Sequence, residues 1–133
     1  MASISLEVLI ESSADDVWKV IGEFATGPSR MAAGFVVDTQ AEGEFRTVTF
    51  ADGTVVRERR IGLDDNARRI AYSIVGGSVE PEHDNASMQA FPDGEQRCRL
   101  VWTRDVLPDR LAAPIADSMT RGLEVIRRTL GAG

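Results

Sequence analysis

Apolar and polar positions alternate at the start of the chain. In "SISLEVLI", Ile4, Leu6, Val8 and Ile10 fall on one face and Ser3, Ser5 and Glu7 on the other, the period of a strand with one buried side. The period then lengthens. In "SSADDVWKVIGEF", Val17, Ile21 and Phe24 recur at helical spacing with Trp18 beside them. Ser12 or Ser13 supplies a cap, and Asp15 and Asp16 suit the helix's positive end. "ATGPSRMAAG", broken by Gly27 and Pro28, predicts a loop or a short second helix. Then come "GFVVDTQ", "EFRTVTF", "TVVRERRIGL", "RRIAYSIV", "HDNASMQAF" and "RCRLVWTRDVL", each rich in β-branched or aromatic residues. The segments between them, such as "AEG", "ADG", "DDNA" and "PDGEQ", are turn-forming. The chain closes on "PDRLAAPIADSMTRGLEVIRRTL". There Ile115, Met119, Leu123, Ile126 and Leu130 make an apolar stripe at spacings of three or four, with Pro108 fitting a helix start and Gly131 a stop.

The order is β-α-α-β-β-β-β-β-β-α. It predicts one α+β domain over residues 1–133: a seven-stranded curved antiparallel sheet wrapped around a long C-terminal helix. The helix stripe must be buried against the sheet's apolar face, and a curled sheet leaves space for a cavity between them. With 133 residues, 43% hydrophobic, the chain buries a core without covalent staples. A net charge of -6 argues against general nucleic-acid binding, which needs a basic surface. One cysteine, Cys98, excludes an internal disulfide, and with a single histidine it makes no familiar transition-metal site, so no metal is expected. There is no phosphate loop or dinucleotide fingerprint, and no cofactor is expected. No apolar run approaches the ~20 residues of a membrane span, and the first residues lack a signal peptide's basic start, so the expected place is the cytoplasm. The expected partner is a small molecule or another protein. No pattern speaks to oligomeric state.

The segment from His83 to Phe91 alternates in an unusual way. His83, Asn85, Ser87 and Gln89 share one face; Ala86, Met88 and Ala90 share the other. The ordinary reading buries Met88 and Ala86 and leaves the polar set in water. Strand pairing suggests the opposite. A tight "PDG" hairpin that sets Phe91 opposite Gln96 also sets Ser87 opposite Leu100, Asn85 opposite Trp102 and His83 opposite Arg104. Cys98, Leu100 and Trp102 are the more apolar set of their strand, so this register carries the polar face inward. A one-residue slip reverses it. Four polar side chains suit a ligand-filled cavity better than a dry core, with apolar walls from Ile70, Tyr72, Ile74, Leu100, Trp102, Met119, Leu123 and Ile126.

The element order resembles that of the START/Bet v 1-like superfamily, the helix-grip fold of polyketide cyclase/dehydrase and lipid-transport proteins. "ADDVWKVIGEF", with Val17, Trp18 and Phe24, resembles the family's first helix, and "CRLVWTRDVLPD" its last strand. A closer local likeness links "VRERRIGLDDNARRIAYSIVGGSVEPEHDNAS" to plant abscisic acid receptors, through Glu58, Leu63 to Asp65, Gly76-Gly77 and Ser87. Their gate and latch loops are not recognisable here. The resemblance implies that Glu58, Tyr72, Ile74, Asn85 and Ser87 face a cavity.

Glu58 is a candidate ligand-binding or catalytic group. One parity of its strand turns Glu58 and Val56 inward; the other buries Val55, Ile61 and Leu63 and leaves Glu58 in a surface charge ladder. The resemblance implies the first. His83 is a candidate general base if a carboxylate adjoins it, and otherwise a rim residue. Arg104 is placed at the surface with Asp105 or Glu82, the alternative being a ligand carboxylate. Met31 is a candidate for an entrance lid. The function expected is binding of a small, largely hydrophobic ligand such as a polyketide, lipid or aromatic metabolite. The alternatives are a polyketide aromatase/cyclase-type enzyme and a protein-interaction module.

Overall fold

The computed structural model describes residues 1–131. Strands β1 (Ala2–Ile10), β2 (Val36–Glu42), β3 (Phe45–Phe50), β4 (Val55–Asp64), β5 (Arg69–Gly77), β6 (His83–Pro92) and β7 (Cys98–Leu107) form one antiparallel sheet in the order β1-β7-β6-β5-β4-β3-β2. Helices α1 (Ala14–Ile21) and α2 (Gly27–Met31) lie between β1 and β2, and α3 (Ala112–Gly131) follows β7 after a short 3-10 turn at Asp109–Leu111. This is the expected α+β order. Pro108 begins the 3-10 turn rather than the long helix, which starts four residues later at Ala112. Among the described residues, no helix is long and apolar enough to cross a membrane.

The sheet meets one stripe of α3. Ile115, Met119, Leu123 and Ile126 are buried as their spacing predicts, and Gly122 joins them. Ile4 and Ile10 of β1 are buried on the same side, where α3 packs mainly against β1. Helix α1 is capped by Ser13, whose hydroxyl accepts from the Asp16 N–H at 3.1 Å. It buries Ala14, Val17 and Ile21, packing against β6 and β7. Trp18 is only partly buried; its indole N–H donates to Asp65 at 3.1 Å and ties α1 to the β4–β5 turn. Arg68 strengthens that tie with an ion pair to Asp15 at 2.8 Å.

The hairpin between β6 and β7 corrects the sequence expectation. Phe91 lies opposite Arg99, not Gln96, and Ser87 lies opposite Thr103, not Leu100. The strand continues through Pro92, and the connection runs from Asp93 to Arg97, closed by the Asp93 N–H donating to the Arg97 carbonyl at 2.9 Å. The register is therefore displaced by three residues (Arg99 in place of Gln96), and an odd displacement exchanges the two faces. Asp84, Ala86, Met88 and Ala90 turn toward the core; His83, Asn85, Ser87 and Gln89 turn away. The outer polar set is satisfied locally. Ser87 and Thr103 hydroxyls are 2.8 Å apart, and the Gln89 amide donates to the Ala67 carbonyl at 3.1 Å.

Candidate functional site

Each polar group that reaches the interior is delivered by strand register. Arg46 of β3 lies directly opposite Glu58 of β4, on the inner face with Val48 and Val56. Both are almost fully buried, and the Arg46 Nε–H donates to Glu58 Oε1 at 2.8 Å. Arg46 also donates through Nη1 to the Phe24 carbonyl at 3.0 Å. Its guanidinium lies 4.3 Å from the centre of the Phe24 ring and 5.0 Å from that of Tyr72. Charge, hydrogen bonds and two aromatic faces together fix this pair in place.

A second buried pair comes from β6 and β7. The β5–β6 backbone ladder stops at Tyr72 and Ala86. Beyond it, the Ile74 N–H donates to the Asp84 side chain at Oδ2, 2.8 Å away, and the Ser73 hydroxyl donates to the Asp84 carbonyl at 2.6 Å. Asp84 thus replaces a missing strand contact, which is why a carboxylate sits inside. Its other oxygen, Oδ1, is 2.8 Å from Arg104 Nε, but the N–H is not aimed at it, so the contact is an ion pair without its hydrogen bond. Burial pushes the Asp84 carboxyl above its ordinary pKa, while Arg104 and the Ile74 N–H pull it down less strongly.

Tyr72 stands between the two pairs. Its hydroxyl accepts from the Trp102 indole N–H at 2.8 Å, and Arg104 lies 5.7 Å from its ring centre. Burial pushes the phenol up to about 12, so at neutral pH Tyr72 keeps its proton and is a donor. With the oxygen's acceptor side taken by Trp102, that proton is free for a guest.

These groups border two adjoining spaces between sheet and α3. The outer cavity, of about 360 Å³, is walled by residues that include Val56, Glu58, Tyr72, Ile74, Trp102, Arg104, Ile115 and Met119. Asp52, Thr54, Asp117, Ser118 and Arg121, from the β3–β4 turn and the first half of α3, also border it. The inner chamber, about 60 Å³, is lined by apolar residues such as Ile21, Met31, Val48, Ile70 and Ile126, with Arg46 and Glu58. Phe35, Phe50, Glu58, Tyr72 and Trp102 border both. Phe35 and Phe50 meet edge to face at 5.6 Å. Gly122 makes room at this waist, because a Cβ there would lie 3.3 Å from the Phe35 ring and 3.6 Å from Trp102.

The sequence candidates divide. Glu58, Tyr72, Ile74, Trp102 and Met119 line the outer cavity, and Ile70 and Ile126 the inner chamber. His83, Asn85 and Ser87 do not, because they lie on the far face of the sheet; His83 is exposed, and the buried carboxylate of its chain neighbour Asp84 points to the opposite face. Leu100 and Leu123 are core packing rather than cavity wall. Arg104 is buried against Asp84 instead of meeting Asp105 or Glu82 at the surface. Met31 lines the inner chamber and is not at an entrance. Arg46, Asp84, Phe35 and Phe50 were not anticipated. Parity held the signal for two: Arg46 alternates with Val48 and Phe50, and Asp84 with Ala86, Met88 and Ala90. Cys98 is fully buried, and burial pushes its thiol up to about 11, so it packs as a small apolar group.

Residues 1–132 match the family model described as polyketide cyclase / dehydrase and lipid transport. No curated protein sequence matches the chain. Among solved structures, an uncharacterised protein from Bacillus thuringiensis superposes with a TM-score of 0.85 at 19% identity, over 97% of this chain and 98% of its own. Norcoclaurine synthase from Thalictrum flavum gives 0.72 at 18% identity, over 96% and 91%. The di-domain ARO/CYC protein BexL of the BE-7585A biosynthetic pathway gives 0.78 at 16% identity, over 97% of this chain and 46% of its own. At these identities the likeness is one of fold.

Proposed function

As this chain belongs to the polyketide cyclase/dehydrase and lipid transport family, we propose that it binds a small, largely apolar ligand in the outer cavity, with the ligand's polar end turned to Tyr72, Glu58 and Arg104. One observation supports this above the rest: a space of about 360 Å³ with apolar walls such as Val56, Ile74, Trp102, Ile115 and Met119, the buried polar groups Glu58, Tyr72 and Arg104 within it, and the polar residues Asp52, Thr54, Asp117, Ser118 and Arg121 along its border. That volume lies in the range of ligand sites, roughly 300–1,000 Å³. Apolar walls supply affinity by removing surface from water, and a few preset donors orient the guest without a reorganisation cost. Native mass spectrometry and thermal unfolding with a panel of aromatic phenols, fatty acids and small hydrophobic acids test the reading. The expected result is a bound compound that raises Tm, and loss of both signals in Ile74→Trp, which fills the cavity. Undiminished binding by that variant would place the site elsewhere.

A catalytic reading retains one favourable feature, the spare proton of Tyr72. It loses His83 and Ser87, which face away from the cavity. In an aromatase/cyclase reaction Tyr72 would hydrogen-bond a carbonyl oxygen and stabilise the negative charge that develops on it. Tyr72→Phe would then abolish turnover while a bound compound is still held; equal losses of both would leave Tyr72 as a binding group only.

A further inference from the structure

Resting on the binding reading above, we propose that the ligand carries a single oxyanion, such as a carboxylate, and that Arg104 receives it with the Tyr72 hydroxyl as second donor. The two cavity arginines differ in how fully they are used. Arg46 is committed: Nε to Glu58, Nη1 to the Phe24 carbonyl, and its faces to two rings. Arg104 is not. It is 5% exposed, borders the outer cavity, and its Nε has no hydrogen-bond partner despite the nearness of Asp84. Asp84 Oδ1 and Arg104 Nε are ion-paired at 2.8 Å, yet they are the buried side-chain atoms that lack a well-aimed hydrogen bond among the described residues. A guanidinium has five donors in a planar fork, and leaving them unmet in a buried site is unfavourable. Asp84 meets this need only in part: its Oδ1 lies 2.8 Å from Arg104 Nε without a well-aimed hydrogen bond, and its Oδ2 is held by the Ile74 N–H.

A ligand oxyanion answers the deficit. It accepts from the fork edge-on, in the geometry guanidinium favours for carboxylates. Arg104 lies over the Tyr72 ring, its guanidinium carbon 5.7 Å from the ring centre, and both residues border the same cavity, so the Tyr72 hydroxyl proton would serve as the second donor. Glu58 adds no net negative charge, since Arg46 neutralises it. At the rim, Arg121 pairs with Asp117 at 3.2 Å, which moderates repulsion of an entering anion. The apolar body of the ligand then runs past Trp102 and Phe35 toward the inner chamber.

Two fluorescent probes that differ in charge test this. The anionic one is 1-anilinonaphthalene-8-sulfonate; N-phenyl-1-naphthylamine has the same rings without the sulfonate. Titrations of the whole chain should give tighter binding of the anion by roughly tenfold, the size expected of charge-assisted hydrogen bonds. The double variant Arg104→Gln/Asp84→Asn, which leaves no lone buried charge, should lose that preference and retain the neutral probe. Tyr72→Phe should lower the anion's affinity several-fold and the neutral probe's by clearly less; an equal loss for both probes would remove Tyr72 as a donor to the anion. If both probes bind equally to the native chain, or if the double variant keeps the preference, the oxyanion site is overturned while the cavity reading stands. If Ile74→Trp binds both probes as the native chain does, the probes sit outside the cavity and both readings fall.

Discussion

Tyr72 is the chain's one tyrosine, so its ionisation can be followed alone by tyrosinate absorbance. Burial raises its pKa from 10.0 to about 12, with Arg104 opposing and Glu58 reinforcing the shift. The folded chain therefore holds the phenolic proton more tightly than the unfolded chain. Stability is unaffected by this group below pH 10 and falls as the pH rises toward 12. A midpoint near 10 would mean that Tyr72 is open to water. The Arg46–Glu58 pair makes a second residue-scale prediction. Arg46→Met strands a buried carboxylate and should cost about 3–5 kcal/mol of unfolding free energy. Arg46→Met/Glu58→Leu removes both charges and should cost markedly less, by denaturant unfolding. Little of this pair was legible in the chain: Glu58 was placed inward only through a resemblance. Arg46 was read as part of a strand, because an arginine announces solvent until a carboxylate is known to lie opposite.

At the scale of elements, periodicity was legible and register was not. The inward faces of β1, β7 and α3 follow from apolar spacing, since each has a clear majority of large apolar residues on one side. The face of β6 depended on a turn, and "PDGEQ" admits more than one loop length. The structure chose five residues, from Asp93 to Arg97, and moved His83, Asn85 and Ser87 out of the site. The ordinary pattern of Ala86, Met88 and Ala90 as core was the better guide. The Gly76-Gly77 pair allows a sharp test of a different junction. Gly77 has φ 105 and a Cβ would lie 2.3 Å from the Val55 carbonyl oxygen, whereas a Cβ on Gly76 meets nothing within 4 Å. Gly77→Ala must therefore shift backbone in β4 and should destabilise by more than ~1 kcal/mol. Gly76→Ala should leave Tm nearly unchanged. Equal effects would show that the β4–β5 approach is not as close as described.

For the molecule as a whole, the sheet-and-helix architecture was legible because every long amphipathic element needed the same partner face. The hollow was not. Apolar residues that line a cavity and those that fill a core have the same sequence pattern. Ile126 and Met119 illustrate this: both belong to the stripe of α3 and both are 2% exposed, yet Met119 borders the outer cavity of about 360 Å³ and Ile126 the inner chamber of about 60 Å³. Truncating Ile126 opens a void where packing is nearly complete, and Ile126→Ala should cost about 2–5 kcal/mol. Met119→Ala enlarges a space that already exists and admits water or a guest, so its cost should fall at or below the bottom of that range. The two variants should also part on ligand binding. Bulkier probes should gain affinity with Met119→Ala, since the guest regains the lost contacts, and Ile126→Ala should show no such gain. Denaturant unfolding of both variants with and without a bound probe measures the difference. Equal destabilisation, with no change in the size of guest accepted, would mean that Met119 is ordinary core and that the hollow lies elsewhere in the fold.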